Sequence, residues 1–509
     1  MENNQSNIGY FPQMPVCDGV FGTEINADFT LPDYKSEIRK LLLSKVTLTP
    51  PKKYMGNDGA TLEGEMRCKL IYVGADSGLY CAPLTDTYKL TIPFEFNSHS
   101  LNTDDISFVA FCCDDGITTR VLGPRKVNLR AKVVCRALGL SPAMYAPKIE
   151  GIGNPSSLEN LIEEMPCAML SCFESNHLTL SDEIPLDADI DSVRIVDYNT
   201  SAMLSECFAR GGKLHVRGEA MLKLLYCNDA ESAQALTLTR KLPFSTEIDA
   251  VGIPDGTECS AYVSIEDENI RVDENSINAE VYIKIHSITQ HNEAVQYISD
   301  AFSTEYEAKT RSEDISTLCG VKNCFGNLTQ NDSIPSSELK IDTNAKIIDC
   351  HCDVKIDSFK CENGKVVLVG KTDNSIIYYH DGEYSSKLVS MPLKYELDIP
   401  FKDTECRYLS LNYAECVSCR ARHDGERIFI DRELQFCVLL QERKSICVLD
   451  SIEFCEKLSR VDSDITLCYP GNDATLWSVS KRYYKSPELI RKKNSLSDDN
   501  ISKKKYIII

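Results

Sequence analysis

The sequence predicts a mainly β chain: three repeated antiparallel β domains, each a sandwich or partly open barrel, followed by a small α+β module of βααβ order. Three observations predict it. A strand text recurs three times at domain spacing, each copy adds a strongly alternating strand, and the stretch from Ile465 to Ile509 breaks the pattern with two short helices.

The recurring text is ATLEGEMRCKLIYVG, then KLHVRGEAMLKLLYC, then KVVLVGKTDNSIIYYH. In each, a glycine (Gly64, Gly218, Gly370) stands eight positions before a tyrosine (Tyr72, Tyr226, Tyr378). A polar turn, a second strand and Pro-Phe follow (Pro93-Phe94, Pro243-Phe244, Pro400-Phe401). The glycines lie 154 and 152 residues apart. Units of about 20 to 45 residues must stack to bury a core, whereas units of this length bury one alone, so each unit is expected to fold as a domain. Downstream, Val127, Ile277 and Ile428 open runs of period two, VNLRAKVVCRA, INAEVYIKIHS and IFIDRELQFCV. Such alternation marks sheets with one wet face. Unit three is the most divergent, with Asn374-Ser375-Ile376-Ile377 in place of the Lys-Leu-Ile or Lys-Leu-Leu of the others.

The expected boundaries are a tail at 1–25, repeats at 26–146, 177–302 and 339–458, linkers at 147–176 and 303–338, and the C-terminal module at 459–509. A short helix is expected over Ser36 to Leu43, and the first linker has an amphipathic helical option from Leu158 to Leu170.

In the C-terminal module, Ser486 suits an N-cap, Pro487 the first helical position, and Glu488 the positive end of the helix dipole. The β-branched end Tyr506-Ile507-Ile508-Ile509 is expected to pair with Ile465 to Cys468. So small a module needs a compact core, and Trp477, the sole tryptophan, is the expected anchor. Its truncation to alanine would then unfold the module at about 3–5 kcal/mol.

A formal charge of -21 and a pI near 4.9 exclude a general nucleic-acid binder. From Lys481 onward, however, nine Lys or Arg face three acids, so an acidic body carries a basic tail. That tail suits an acidic partner surface or a phosphate-bearing polymer, or is simply a solvated face. The N-terminal MENNQSNIGYFPQ lacks a basic, apolar leader, and no apolar run is long enough to span a bilayer. A non-secreted protein without a transmembrane segment is expected. Twenty-three cysteines without an export signal suit free thiols in a reducing compartment. Cys416-Val-Ser-Cys419 has CxxC spacing and Cys350-His-Cys352 is CxC, but no second CxxC follows at zinc-ribbon distance. No metal and no cofactor are expected, and Cys68, Cys135, Cys227 and Cys437 read as small buried hydrophobes. There is no GxxxxGK[ST], HExxH or GxSxG, and the expectation is a protein that is not an enzyme.

Pro470-Gly471, Asp473, the run Thr475 to Val479, Lys481-Arg482-Tyr483 and the loop Lys493 to Leu496 together resemble a LysM module, a fold that binds carbohydrate or docks protein. The turn PGNDATLW carries two more residues than the family's usual PGDTLW, which argues against ordinary glycan binding. Three units with YVG-type strands, the opening LPDYKSEIRKLL and this module resemble the SPOCS-domain proteins of endospore-forming Firmicutes, of the SipL type. The resemblance implies a cytoplasmic scaffold of the mother cell, at the forespore surface. It would dock through LysM onto the ATPase of the spore-coat basement layer and engage other coat proteins. The alternative is a protein that binds peptidoglycan through N-acetylglucosamine, in the cell wall or cortex. The family groove maps to Gly471, Asp473, Thr475, Leu476, Asn494, Ser495 and Leu496. On that map Asn494→Ala weakens partner binding without unfolding.

Overall fold

The computed structural model describes residues 8–96, 98–100, 106–185, 193–228, 235–273, 276–398, 408–459, 466–472, 474–502 and 504–509. Strands take 77% of the described residues and helix 5%, so the class is mainly β.

Among the described residues one two-sheet plan of six or seven strands recurs three times. The recurring text forms a three-stranded meander whose central strand carries the marking glycine. In the first unit, Gly59–Gly74 pairs with Lys52–Gly56 and Ile38–Leu48 on one side and Leu79–Pro93 on the other. In the second, Lys213–Asn228 lies between Val193–Arg210 and Ala235–Asp249, and in the third Lys365–His380 lies between Lys346–Glu362 and Glu383–Asp398. The alternating strands are the centres of three further sheets. Lys126–Met144 lies between Tyr10–Thr30 and Ser107–Gly123. Ser276–Ser303 pairs with Glu258–Asp273 and, on its other edge, with Leu158–Glu174 and Leu178–Pro185. Arg427–Lys457 lies between Tyr306–Pro335 and Tyr408–His423. All these pairings are antiparallel, and the two sheets of each unit close on a core of their own.

This corrects the reading of the connecting segments. The expected linkers 147–176 and 303–338 hold the strands Leu158–Glu174 and Tyr306–Pro335, and the expected tail 1–25 holds most of Tyr10–Thr30. They read as linkers because they are edge strands and only part of each is buried, the middle of Leu158–Glu174 and of Tyr306–Pro335 and the first third of Tyr10–Thr30. Pro166, which donates to no ladder, is tolerated at such an edge. The helical option at Leu158 to Leu170 is therefore strand. The helix expected over Ser36 to Leu43 is strand from Ile38 on, where Ile38–Leu48 pairs with Gly59–Gly74 through a β-bulge at Leu42. The extra residue broke period two and made Leu41-Leu42-Leu43 look helical.

That bulge recurs. The unpaired extra residues are Leu42, Val196 and Ile348, each one position before the partner of the residue that precedes the marking tyrosine. All three are buried in a single cluster with Ile71, Leu225 and Ile377, so the bulges turn one side chain from each unit toward a shared centre. A second shared cluster takes Leu138, Ile288 and Leu439, and a third takes Tyr145, Val295 and Ile446. These are the positions eleven and eighteen residues after Val127, Ile277 and Ile428. Equivalent residues from three units meeting three times over is what a pseudo-threefold arrangement requires. The units share buried cores and are not beads on a string.

Charged groups lock two of the seams. Lys69 and Lys223 stand three residues before Tyr72 and Tyr226, and Asp197 and Asp349 immediately follow the bulges of units two and three. Asp197 Oδ1 is 3.3 Å from Lys69 Nζ and its Oδ2 is 2.5 Å from Lys45 Nζ. Lys223 of unit two likewise pairs with Asp349 of unit three. Burial raises the Asp197 carboxyl, but the two ammonium groups outweigh it and hold the carboxyl below its ordinary value. Burial lowers the Lys223 ammonium, and Asp349 more than restores it. At the third seam the equivalent positions are Ser375 and Leu43, and the exposed contacts Arg39–Glu383 (3.5 Å) and Lys40–Ser385 (2.8 Å) are found instead. The connection after unit one is also tied down, since Lys148–Glu150 adds in parallel to Arg427–Lys457 of unit three.

The marking glycines are positions of close approach. A Cβ on Gly370 would lie 2.0 Å from the Lys355 carbonyl oxygen, and one on Gly218 would lie 2.5 Å from that of Met203. No side chain fits between strands that close.

Candidate docking site

The C-terminal module has the element order strand, helix, helix, strand. Leu467–Cys468 pairs antiparallel with Ile507–Ile508, and the helices are Leu476–Tyr483 and Pro487–Asn494. Thr475 caps the first helix reciprocally. Its Oγ1 accepts from Ser478 N–H at 3.1 Å while Ser478 Oγ accepts from Thr475 N–H at 3.1 Å. Ser486 occupies the N-cap of the second helix without a side-chain bond, with Pro487 and Glu488 in the first turn as the sequence suggests. Both helices end on left-handed residues, Tyr484 and Ser495.

The module's core is Cys468, Leu476, Val479, Ile490, Leu496, Ile501, Ile507 and Ile509. Trp477 is not part of it, which corrects the expectation of a core anchor. A module this small closes on its aliphatic residues, and the helix turns Trp477 outward, half-buried, toward unit two. There the indole Nε1–H donates to Asp300 Oδ2 at 2.9 Å and the ring stands edge-on to Phe302, centroids 5.0 Å apart. Lys481, one turn on, donates to both oxygens of the same carboxylate at 2.6 and 2.8 Å. Trp477 and Lys481 are i and i+4 on one helix face, the signal that sequence reading passed over. Nothing in the sequence around Asp300 or Phe302 marks the acceptor.

The expected groove residues separate into two groups. Leu476 and Leu496 are core, and Thr475 is the helix cap. The Asn494 side chain is committed to the backbone. Its Nδ2 donates to Ile490 O (2.9 Å) and Ile508 O (2.7 Å), and its Oδ1 accepts from Ile508 N–H (2.7 Å). Asn494 thus holds the terminal strand against the second helix, and its truncation would act on the fold as well as on any ligand. Gly471 and Ser495 are exposed on turns. Asp473 lies outside the described residues.

With one helix face on the body, the module leaves Arg482, Lys485, Arg491, Lys492, Lys493, Lys504 and Lys505 exposed, together with Tyr469, Leu489 and Tyr506. Arg491 pairs with Asp499. Cationic groups interspersed with aromatic and aliphatic ones suit an acidic protein surface with apolar patches. In the body, His99 Nε2 lies 3.5 Å from Glu313 and 3.8 Å from Asp450, a set of metal-type donors that also ties unit one to unit three. Among the described residues no helix is long and apolar enough to cross a membrane.

Comparison with curated proteins and with solved structures finds no match. Residues 189–273 match the family model described as SipL, SPOCS domain. The match takes in the second unit's meander and the strand Glu258–Asp273, so this unit is similar to a SPOCS domain.

Proposed function

We propose that this chain is a non-catalytic scaffold of endospore coat assembly, acting in the mother cell at the forespore surface. In this reading the C-terminal module is a LysM-like domain that docks onto the ATPase of the coat basement layer. The three-unit body offers sheet edges and faces to other coat proteins. The observation that carries the reading is the SipL SPOCS match in unit two. Support for protein docking comes from the module, where two of the expected groove residues are core and a third is tied to backbone, while its open surface is cationic and aromatic.

The test compares the full chain with a chain ending at Ser459, each offered to the purified coat ATPase and to purified peptidoglycan. Capture of the ATPase by the full chain alone, with no retention on peptidoglycan, is the expected result. Retention on peptidoglycan without ATPase capture overturns docking in favour of the glycan-binding alternative.

A further inference from the structure

Four thiols from the facing sheets of unit three converge beside its seam with unit two. Cys350 and Cys352, on Lys346–Glu362, are two residues apart and share a strand face. Cys416 and Cys419, on Tyr408–His423, are three apart, which in a regular strand would place them on opposite faces. A β-bulge at Val417 returns them to the same one. Cys419 Sγ is 3.2 Å from Cys350 Sγ, and Cys352 and Cys416 stand beside that pair on the same two strands. Cys350, Cys352 and Cys419 are buried, Cys416 is partly so, and all four line a cavity of about 60 Å³.

The thiols are not a generic filling of this place in the sandwich. At the positions equivalent to Cys350 and Cys352 by register, unit two has Tyr198 and Thr200 and unit one has Ser44 and Val46. Opposite, where unit three has Cys416, the other units have Ile265 and Asp114, although both also carry a bulge there. The backbone plan is common, and the sulfur set belongs to unit three.

The spacing of the sulfurs selects among their possible uses. In a tetrahedral site with metal–sulfur bonds of about 2.3 Å, neighbouring sulfurs stand about 3.8 Å apart, so Cys350 and Cys419, at 3.2 Å, need only a small parting to share an ion. A cavity of about 60 Å³ leaves room for one ion and not for a polynuclear cluster. Cys350 and Cys352 are the pair with furthest to move, since same-face neighbours on a strand are about 6.6 Å apart at the backbone, and side-chain rotation must draw their thiols together. The surroundings are prepared as well. The Lys223 ammonium donates to the carbonyls of Cys350 (2.8 Å) and Cys419 (3.4 Å), fixing the backbone of two ligands and placing positive charge beside the sulfurs.

We propose that Cys350, Cys352, Cys416 and Cys419 bind one thiophilic divalent ion, zinc, in a four-thiolate site that staples the two sheets of unit three next to unit two. On binding, four thiols release four protons to solvent and four zinc–sulfur bonds form, with no change of oxidation state. Such a site is structural, since all four positions are taken by protein.

The test uses the full chain purified under reducing conditions without chelator. Elemental analysis should find about one zinc per chain. The double variant Cys350→Ser, Cys419→Ser should fall to background, while Cys207→Ser, Cys259→Ser, which removes another close pair of thiols (3.4 Å), should keep the metal. Cobalt titrated into the metal-stripped wild-type chain should give intense thiolate-to-cobalt charge-transfer absorption that zinc abolishes, a readout that does not depend on a variant folding. Zinc at background in the wild-type chain, cobalt without thiolate bands, or a Cys350–Cys419 disulfide trapped by alkylation in the isolated protein would each overturn the site.

Discussion

The junctions between units and the junction between body and module are built differently. Unit joins unit through three shared apolar clusters and, at two of the seams, a lysine–aspartate pair, buried at Lys45–Asp197 and partly buried at Lys223–Asp349. The module joins the body chiefly by one half-buried indole and one lysine on Asp300, with Phe302 beneath. The first kind cannot open without exposing core and uncompensated charge. The second costs little to open. A body that behaves as one folding unit carrying a detachable module is what the difference teaches, and each prediction below bears on it.

The largest effect is expected at the buried pairs. Lys223→Met leaves Asp349 without its cation and should cost about 3–5 kcal/mol, whereas the double change Lys223→Met, Asp349→Leu should recover most of that loss, because the penalty lies in the orphaned charge. Denaturant unfolding of wild type and the two variants measures it. If the units unfold in separate steps in wild type, the shared-core picture fails.

The body should also be acid-sensitive at a single histidine. Burial pushes His286 down to about 4, partly offset by Glu174, with Lys53 of unit one and Lys284 lowering it further. The unfolded chain takes up a proton near 6.5 that the folded chain refuses until about 4, so below pH 6.5 the unfolded state binds more protons and stability falls as pH drops. The loss attributable to this group is roughly 3 kcal/mol across that window. His286→Phe, which keeps a ring against Tyr262, should flatten the slope relative to wild type between pH 6.5 and 4. An unchanged slope would show that this histidine is not desolvated in the body.

Much of the body was legible because its central strands are sandwiched on both sides and carry strong patterns. The runs from Val127, Ile277 and Ile428 are each the middle of a sheet, and their alternation survived in the sequence. The edge strands were not legible, since only part of each is buried and an edge tolerates Pro166. The bulge residues were misleading for a physical reason, as Leu42 breaks period two in order to reach the shared centre. Unit three's divergence was visible, but its cause was not. Arg432 is fully buried there, paired with Asp332 and bonded to Thr372, with Asn374 Oδ1 at 3.4 Å, where the equivalent residues of the other units are Ala131 and Val281. At the C-terminus, turn and cap chemistry placed both helices, while the size of Trp477 was taken for burial when its partner is remote in sequence. The cysteine pairs were noticed, yet only the facing of two sheets brings CxC to CxxC.

Two smaller effects concern the module. Asn494→Ala removes three hydrogen bonds to the backbone of Ile490 and Ile508 and should destabilise the module by about 1–3 kcal/mol while leaving the body untouched. Amide exchange at Cys468, Ile507 and Ile508 should accelerate with no change in the three units. Acceleration throughout the body would mean that module and body open together and that the module is not detachable.

Trp477→Ala should have the smallest effect on folding and the most specific one on architecture. The indole is absent from the module's core, so the eight core residues can close without it. What is lost is the bond to Asp300 and the edge contact with Phe302, together worth about 1–2 kcal/mol. The variant should keep a folded module whose amides remain protected, while protease cleavage between module and body becomes faster and Asp300→Ala reproduces the same change. Combining the two should add little, because both break one contact. Loss of protection within the module would return Trp477 to the core. Unchanged cleavage would show that Asp300 is not what holds the module in place.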